Sequence, residues 1–127
     1  MIKEIAFTAY PARDVAKLRE WYEKNLALKF SGPYVEKGVE QYNESDLGGT
    51  CFSLMTTDWL EAPPGAGAGV VFEVADLDEA VAQLRAKGLT VEDPYITPVC
   101  KMSSLKDLEG NKVTLHQRTA TAWVSSD

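Results

Sequence analysis

The stretch Glu61-Ala62-Pro63-Pro64-Gly65-Ala66-Gly67-Ala68-Gly69 constrains this chain more than any other segment. Its prolines withhold N–H groups and its alternating glycines favour neither helix nor strand, so no regular element runs through it. It splits the 127 residues into halves of roughly sixty, each too small to bury a comfortable core alone. The halves also carry the same order of elements. A duplicated unit sharing one domain is the organisation this predicts.

In the first half, Ile2 to Tyr10 is a β-branched and aromatic run that reads as a strand. Asp14 is a good N-cap, and Val15, Leu18, Trp21, Tyr22 and Leu26 recur at helical spacing over Val15 to Asn25. Three short strands are expected next, at 28–30, 39–43 and 50–56, with Gly32-Pro33 and Gly48-Gly49 as turns. The second half repeats this order. Val70 to Val74 is a strand, and a helix begins in Ala75-Asp76-Leu77-Asp78 and runs to Lys87, with Leu77, Val81 and Leu84 as its stripe. Strands follow near 90–92, at 100–106 and at 113–117, the last two joined by a tight turn in which Gly110 takes positive φ. The pattern is βαβββ, linker, βαβββ. The expected boundaries are one domain over 1–119 (module 1, 1–60; linker, 61–69; module 2, 70–119) and a tail over 120–127, polar apart from Trp123 and Val124.

Composition limits the partners. With 13 Lys+Arg against 19 Asp+Glu the net charge is −6, which repels phosphate backbones and argues against nucleic acid and anionic membranes. No apolar run approaches the ~20 residues of a membrane span, and Met1 to Ala6 lacks a secretory apolar region, so a cytoplasmic location is expected. Cys51 and Cys100 stand far apart in no metal-type spacing and read as reduced, buried thiols. His116 is the only histidine.

Three motifs carry a family resemblance. Pro11-x-x-Asp14 followed by Trp21-Tyr22-Glu23-x-x-Leu26 is one. Val70-Val71-Phe72-Glu73-Val74-x-Asp76 with Ala80-Val81-x-x-Leu84-x-x-x-Gly88 is the second, and Asp107-x-x-Gly110-Asn111-Lys112-Val113-x-Leu115-x-Gln117 the third. In this order the chain resembles the glyoxalase/bleomycin-resistance/extradiol-dioxygenase (vicinal oxygen chelate) superfamily. Ala27 and Leu108 depart from the glycine and proline usual at those positions. The resemblance implies an α+β fold: tandem βαβββ modules forming one cup-shaped mixed sheet, helices on the convex side, a small molecule on the concave side. It also implies a homodimer.

Enzymes of this family hold a divalent metal with His and Glu from four strands. Carried over one at a time, those positions become Phe7, Ser53, Val70 and Thr114. A phenyl ring and an isopropyl group coordinate nothing, and two hydroxyls do not hold a divalent ion against water. No metal and no other cofactor is therefore expected. Strand alternation groups Phe7 with Ile5 and Ala9, Ser53 with Cys51 and Met55, Val70 with Phe72, and Thr114 with His116. The expected ligand-binding set is Phe7, Ser53, Met55, Val70, Phe72, Thr114 and His116, an apolar face with a few polar groups. The same face read as a packed interior would hold no ligand. No carboxylate is placed by sequence to orient His116 as a general base. The facing of Lys101 is ambiguous, and Tyr42 and Trp59 are available as stacking surfaces.

Two functions follow. The first is a metal-independent protein that binds or sequesters a small, partly apolar or aromatic ligand, with no catalytic residue assigned. The second is a lyase or dioxygenase-type enzyme, metal-dependent if the strand register differs, or metal-free through His116.

Overall fold

The computed structural model describes residues 1–120, so Trp123, Val124 and the rest of the expected tail lie outside the described residues. Its contacts define two compact units: residues 1–68 with the turn 107–111, and, among the described residues, 69–106 with 112–120.

The first unit contains β1 (Phe7–Ala12), α1 (Val15–Leu26), β2 (Tyr34–Glu36), β3 (Val39–Asp46), β4 (Cys51–Thr56) and the short α2 (Thr57–Leu60). Its sheet runs β1-β4-β3-β2, with β1 parallel to β4 and the other pairs antiparallel. Pro11 is tolerated because β1 is an edge strand of this sheet. Helix α1 starts where predicted: the Asp14 side chain accepts from the Lys17 N–H at 3.1 Å. The Glu109 carboxylate accepts from the N–H groups of Arg13 at 2.6 Å and Asp14 at 2.9 Å, placing negative charge at the helix N-terminus. Val15, Leu18 and Tyr22 form the buried stripe of α1. They join Tyr10, Ala12, Phe52 and Leu54 in the core, where the Phe52 ring meets Tyr10 and Tyr22 at centroid distances of 5.4 and 5.2 Å.

Where the family has glycine, Ala27 ends α1 in the left-handed region at φ 56° and donates its N–H to the Tyr22 carbonyl. A side chain there costs roughly 1 kcal/mol relative to glycine. The strand expected at 28–30 does not form. Ser31 gives the neighbouring segment a single backbone bond to Glu44 (3.0 Å), and pairing starts only after Pro33.

The second unit contains β5 (Val70–Glu73), α3 (Leu77–Ala86), β6 (Tyr95–Ile96), β7 (Cys100–Lys106) and β8 (Lys112–Arg118), in the order β5-β8-β7-β6. The parallel β5–β8 pairing matches that of β1 and β4, as a repeated module requires. Asp76 caps α3 through the Glu79 N–H at 3.1 Å, and Leu77, Val81 and Leu84 are buried. Here the expected strand at 90–92 shrinks to one bridge, Val91 with Leu105; Pro94, which has no N–H, separates it from β6. The architecture is α+β, two four-stranded mixed sheets built from βαβββ modules.

The linker is an ordered part of the first unit. Gly67 donates its N–H to Asn111 Oδ1 at 2.8 Å, and Asn111 Nδ2 donates to the Pro11 carbonyl at 3.3 Å and to Asp107 Oδ2 at 2.9 Å. Gly110 sits at φ 89°, as the turn predicted.

Candidate functional site on the open sheet faces

Pairing registers decide which side chains face away from the helices. In the first unit, Tyr10, Phe52 and Leu54 point to α1. Their alternates Phe7, Ala9, Cys51, Ser53, Met55, Tyr42 and Glu44 share the other face. Three of the predicted residues, Phe7, Ser53 and Met55, therefore do come together. Phe7 is 40% exposed and meets Tyr42 edge-on at 5.5 Å, whereas Ser53 is 0% exposed. Ser53 Oγ donates to the Thr8 carbonyl at 3.3 Å, so this hydroxyl lies under the face rather than on it. Tyr34 and Trp59 form a second exposed aromatic pair at 5.4 Å.

Glu44 is the polar centre of this face, and sequence reasoning missed it. The Tyr42 hydroxyl donates to Glu44 Oε1 at 2.7 Å and the Cys51 thiol lies 3.5 Å from Oε2. Gly32 permits the close fit, because a Cβ there would stand 2.6 Å from Glu44 Cγ. Burial first, and then the bond to Glu44, push the Tyr42 phenol up to about 12, so it stays a neutral donor. Desolvation and then Glu44 also raise the thiol of Cys51, which is only half-buried, making it a poor nucleophile. The strand alternation that places Tyr42 and Glu44 together was available in the sequence, but β3 was read as ending at Asn43.

In the second unit the register corrects the expected site. Val70 pairs with Val113 and Phe72 with Leu115, whereas Thr114 pairs with Val71 and His116 with Glu73. Gln117 accepts from the Leu77 N–H at 2.8 Å and Lys101 pairs with Asp78 at 3.1 Å, so this parity faces α3. Val70 and Phe72 thus belong to the helix side. Val71, 55% exposed, takes the place expected of Val70, and the facing of Lys101 is settled. The error was one residue, and in a strand one residue changes the face.

The opposite face carries Thr114 and His116 as predicted, together with Ser104, Met102 and Glu73. Thr114 Oγ1 and Ser104 Oγ are hydrogen-bonded at 2.9 Å. A carboxylate does orient His116: Glu73 Oε1 lies 2.5 Å from Nδ1, while Glu73 Oε2 accepts from the Arg118 N–H at 2.7 Å. The Arg118 N–H first, and His116 second, hold the Glu73 carboxyl below the usual carboxylate range. This partner comes from parallel pairing between strands far apart in sequence, which no local pattern announces.

The four positions that bind metal in the family's enzymes do not fit a divalent ion. Phe7 offers carbon only, as do Val70 and the Val71 that replaces it on the outward face, and the hydroxyls of Ser53 and Thr114 already have partners. Among the described residues no group of three or more His, Cys, Asp or Glu converges for a metal.

Among solved structures, an antibiotic-binding protein from Streptomyces sp. CB03234 is similar, with TM-score 0.79 and 22% identity over 93% of this chain and 98% of that one. A glyoxalase/bleomycin resistance protein from the same organism gives 0.75 and 23%, over 90% and 100%. A lactoylglutathione lyase from Agrobacterium tumefaciens gives 0.74 and 19%, over 91% and 94%. At these identities the likeness shows the fold alone, and it spans a binder and an enzyme. No curated protein matched the chain. The family match covers residues 4–115, nearly the whole repeated region, and with it the chain belongs to the Glyoxalase/Bleomycin resistance protein/Dioxygenase superfamily.

Proposed function

We propose that this protein binds a small, partly apolar or aromatic molecule on its open sheet faces, independently of a metal ion. The observation that carries this reading is the lack of metal-ligand chemistry at the family's metal positions: Phe7, Ser53 and Thr114 stand at three of them, and on β5 both Val70 and the outward-facing Val71 offer carbon only. On the first unit, Phe7, Tyr42 and Met55 supply apolar and aromatic surface, and Glu44 supplies a fixed acceptor beside it. Burial of such surface contributes ~25 cal/mol per Å², enough for useful affinity from a ligand of modest size. On the second unit, Thr114 and His116 supply polar contacts. The antibiotic-binding relative supports small-molecule binding as the class of function. No helix among the described residues is long and apolar enough to cross a membrane.

Met55 tests the site. It is partly exposed, lies opposite Tyr42 and Pro11, and its position admits bulk that the closed Ser53 position would not. In Met55→Trp a ligand identified by thermal-shift screening should lose at least ~10-fold in affinity, the equivalent of ~1.4 kcal/mol. The melting temperature without ligand should stay near that of the wild type. Undiminished binding would remove the first unit's open face as the site. The purified protein should also fail to turn over the methylglyoxal–glutathione adduct, and turnover would favour the enzyme reading.

A further inference from the structure

The Glu73–His116 pair has a geometry that strand pairing alone does not require. Both oxygens of Glu73 are engaged, one by Nδ1 of His116 and one by the Arg118 N–H, so the carboxylate is fixed. A carboxylate on Nδ1 selects the tautomer with its proton there, leaving Nε2 with a lone pair. Nε2 has no hydrogen-bond partner among the described residues, and the His116 side chain is 19% exposed. Of the charged residues on β5 and β8, Glu73, paired with His116, and Arg118, two residues along β8 on the same face, stand nearest to the ring in register.

We propose that His116 Nε2, oriented by Glu73, accepts the proton of an acidic hydroxyl, phenolic or enolic, on the bound molecule. The O–H proton moves to Nε2, both electrons of that bond stay on oxygen, and the product is an oxyanion beside an imidazolium held by Glu73. Nothing is oxidised or reduced. His116 is the residue that touches the ligand, and Glu73 is a positioning residue. The inference rests on the small-molecule reading above and adds to it the chemical class of the ligand.

The probes are 4-cyanophenol, which is un-ionised in neutral solution and whose ultraviolet absorption shifts on ionisation, and its methyl ether, which has no proton to give. Because His116 is the only histidine, its ring nitrogens are read without assignment after histidine-selective ¹⁵N labelling. In the free protein the spectrum should show Nδ1 protonated. The phenol should bind about 10-fold or more tighter than the ether, since a hydrogen bond to a charged group is gained. On binding it should take the absorption of the phenolate while Nε2 moves to its protonated position. In His116→Phe and Glu73→Gln the preference over the ether should fall towards one, and the bound phenol should stay un-ionised in His116→Phe. Equal binding of both probes to the wild type, with the histidine signals unmoved, overturns this inference and leaves the binding function standing. Failure of both probes to bind overturns the inference and counts against the binding reading as well.

Discussion

Asp107→Ala should destabilise the protein by ~3–5 kcal/mol, the largest effect of any single substitution described here. Asp107 is buried, and its carboxylate accepts from the Tyr22 hydroxyl at 2.6 Å and from Asn111 Nδ2 at 2.9 Å. It also accepts from the N–H groups of Glu109 and Asn111, both at 2.9 Å. Alanine leaves the Tyr22 hydroxyl and the two Asn111 donors without this acceptor in a buried place, and the Tyr22 side chain is among the most completely buried in the protein. Burial, the larger cause, and Asp107 raise the Tyr22 phenol far above its ordinary value; burial persists in the variant, so the hydroxyl does not escape the loss by ionising. Urea denaturation measures the change. Adding Tyr22→Phe to Asp107→Ala should cost less than Tyr22→Phe alone, because the hydroxyl it removes has already been orphaned. Equal costs in the two backgrounds would show that the pair is not coupled.

Gly67→Ala should cost ~1–3 kcal/mol although it adds one methyl group. A Cβ at Gly67 would stand 2.6–2.7 Å from three carbons of the Tyr10 ring, inside any normal contact. Tyr10 cannot simply move, since its ring is buried against Phe52. Backing the linker away instead would stretch the 2.8 Å bond from the Gly67 N–H to Asn111 and disturb the Asp107 network. Gly69→Ala, where nothing lies within 4 Å of the added carbon, should be nearly neutral. Denaturation midpoints of the two variants test the pair; equal losses would mean that helix-breaking composition, rather than contact with Tyr10, selects glycine at 67.

This second case shows how the sequence can be read correctly for the wrong reason. The Pro/Gly segment does separate two modules, but it separates them as a packed strap in the first unit, held by Asn111 from the other end of the chain. Elements set by local chemistry were legible. The Asp14 and Asp76 caps, the α1 and α3 stripes, the 100–106 strand and the Gly110 turn follow from side-chain type and spacing. Short strands at 28–30 and 90–92 were misplaced because a few β-prone residues do not specify pairing; a neighbour with free backbone groups does.

The site was legible in part, for the same reason. Ser53 and Met55, or Thr114 and His116, share a face by alternation within one strand. Val70 and Phe72 required the phase of β5 relative to β8, and a shift of one residue reversed them. Glu44 needed the true length of β3, and Glu73 needed the parallel pairing that sets it beside His116. Residue identity alone says that Phe7, Ser53, Val70 and Thr114 carry no strong metal ligand, but the choice of Val70 over Val71 again needed the register.

Calorimetric titration of 4-cyanophenol decides whether the protein binds without a metal ion. The protein is first exhaustively treated with chelator, then measured with zinc, nickel, manganese or iron(II) added in turn. Stoichiometric binding by the metal-free protein is expected, with the same affinity in the presence of each ion and no saturable metal uptake at the open faces. Binding that appears only when one of these ions is present at one per chain would contradict metal-independent binding.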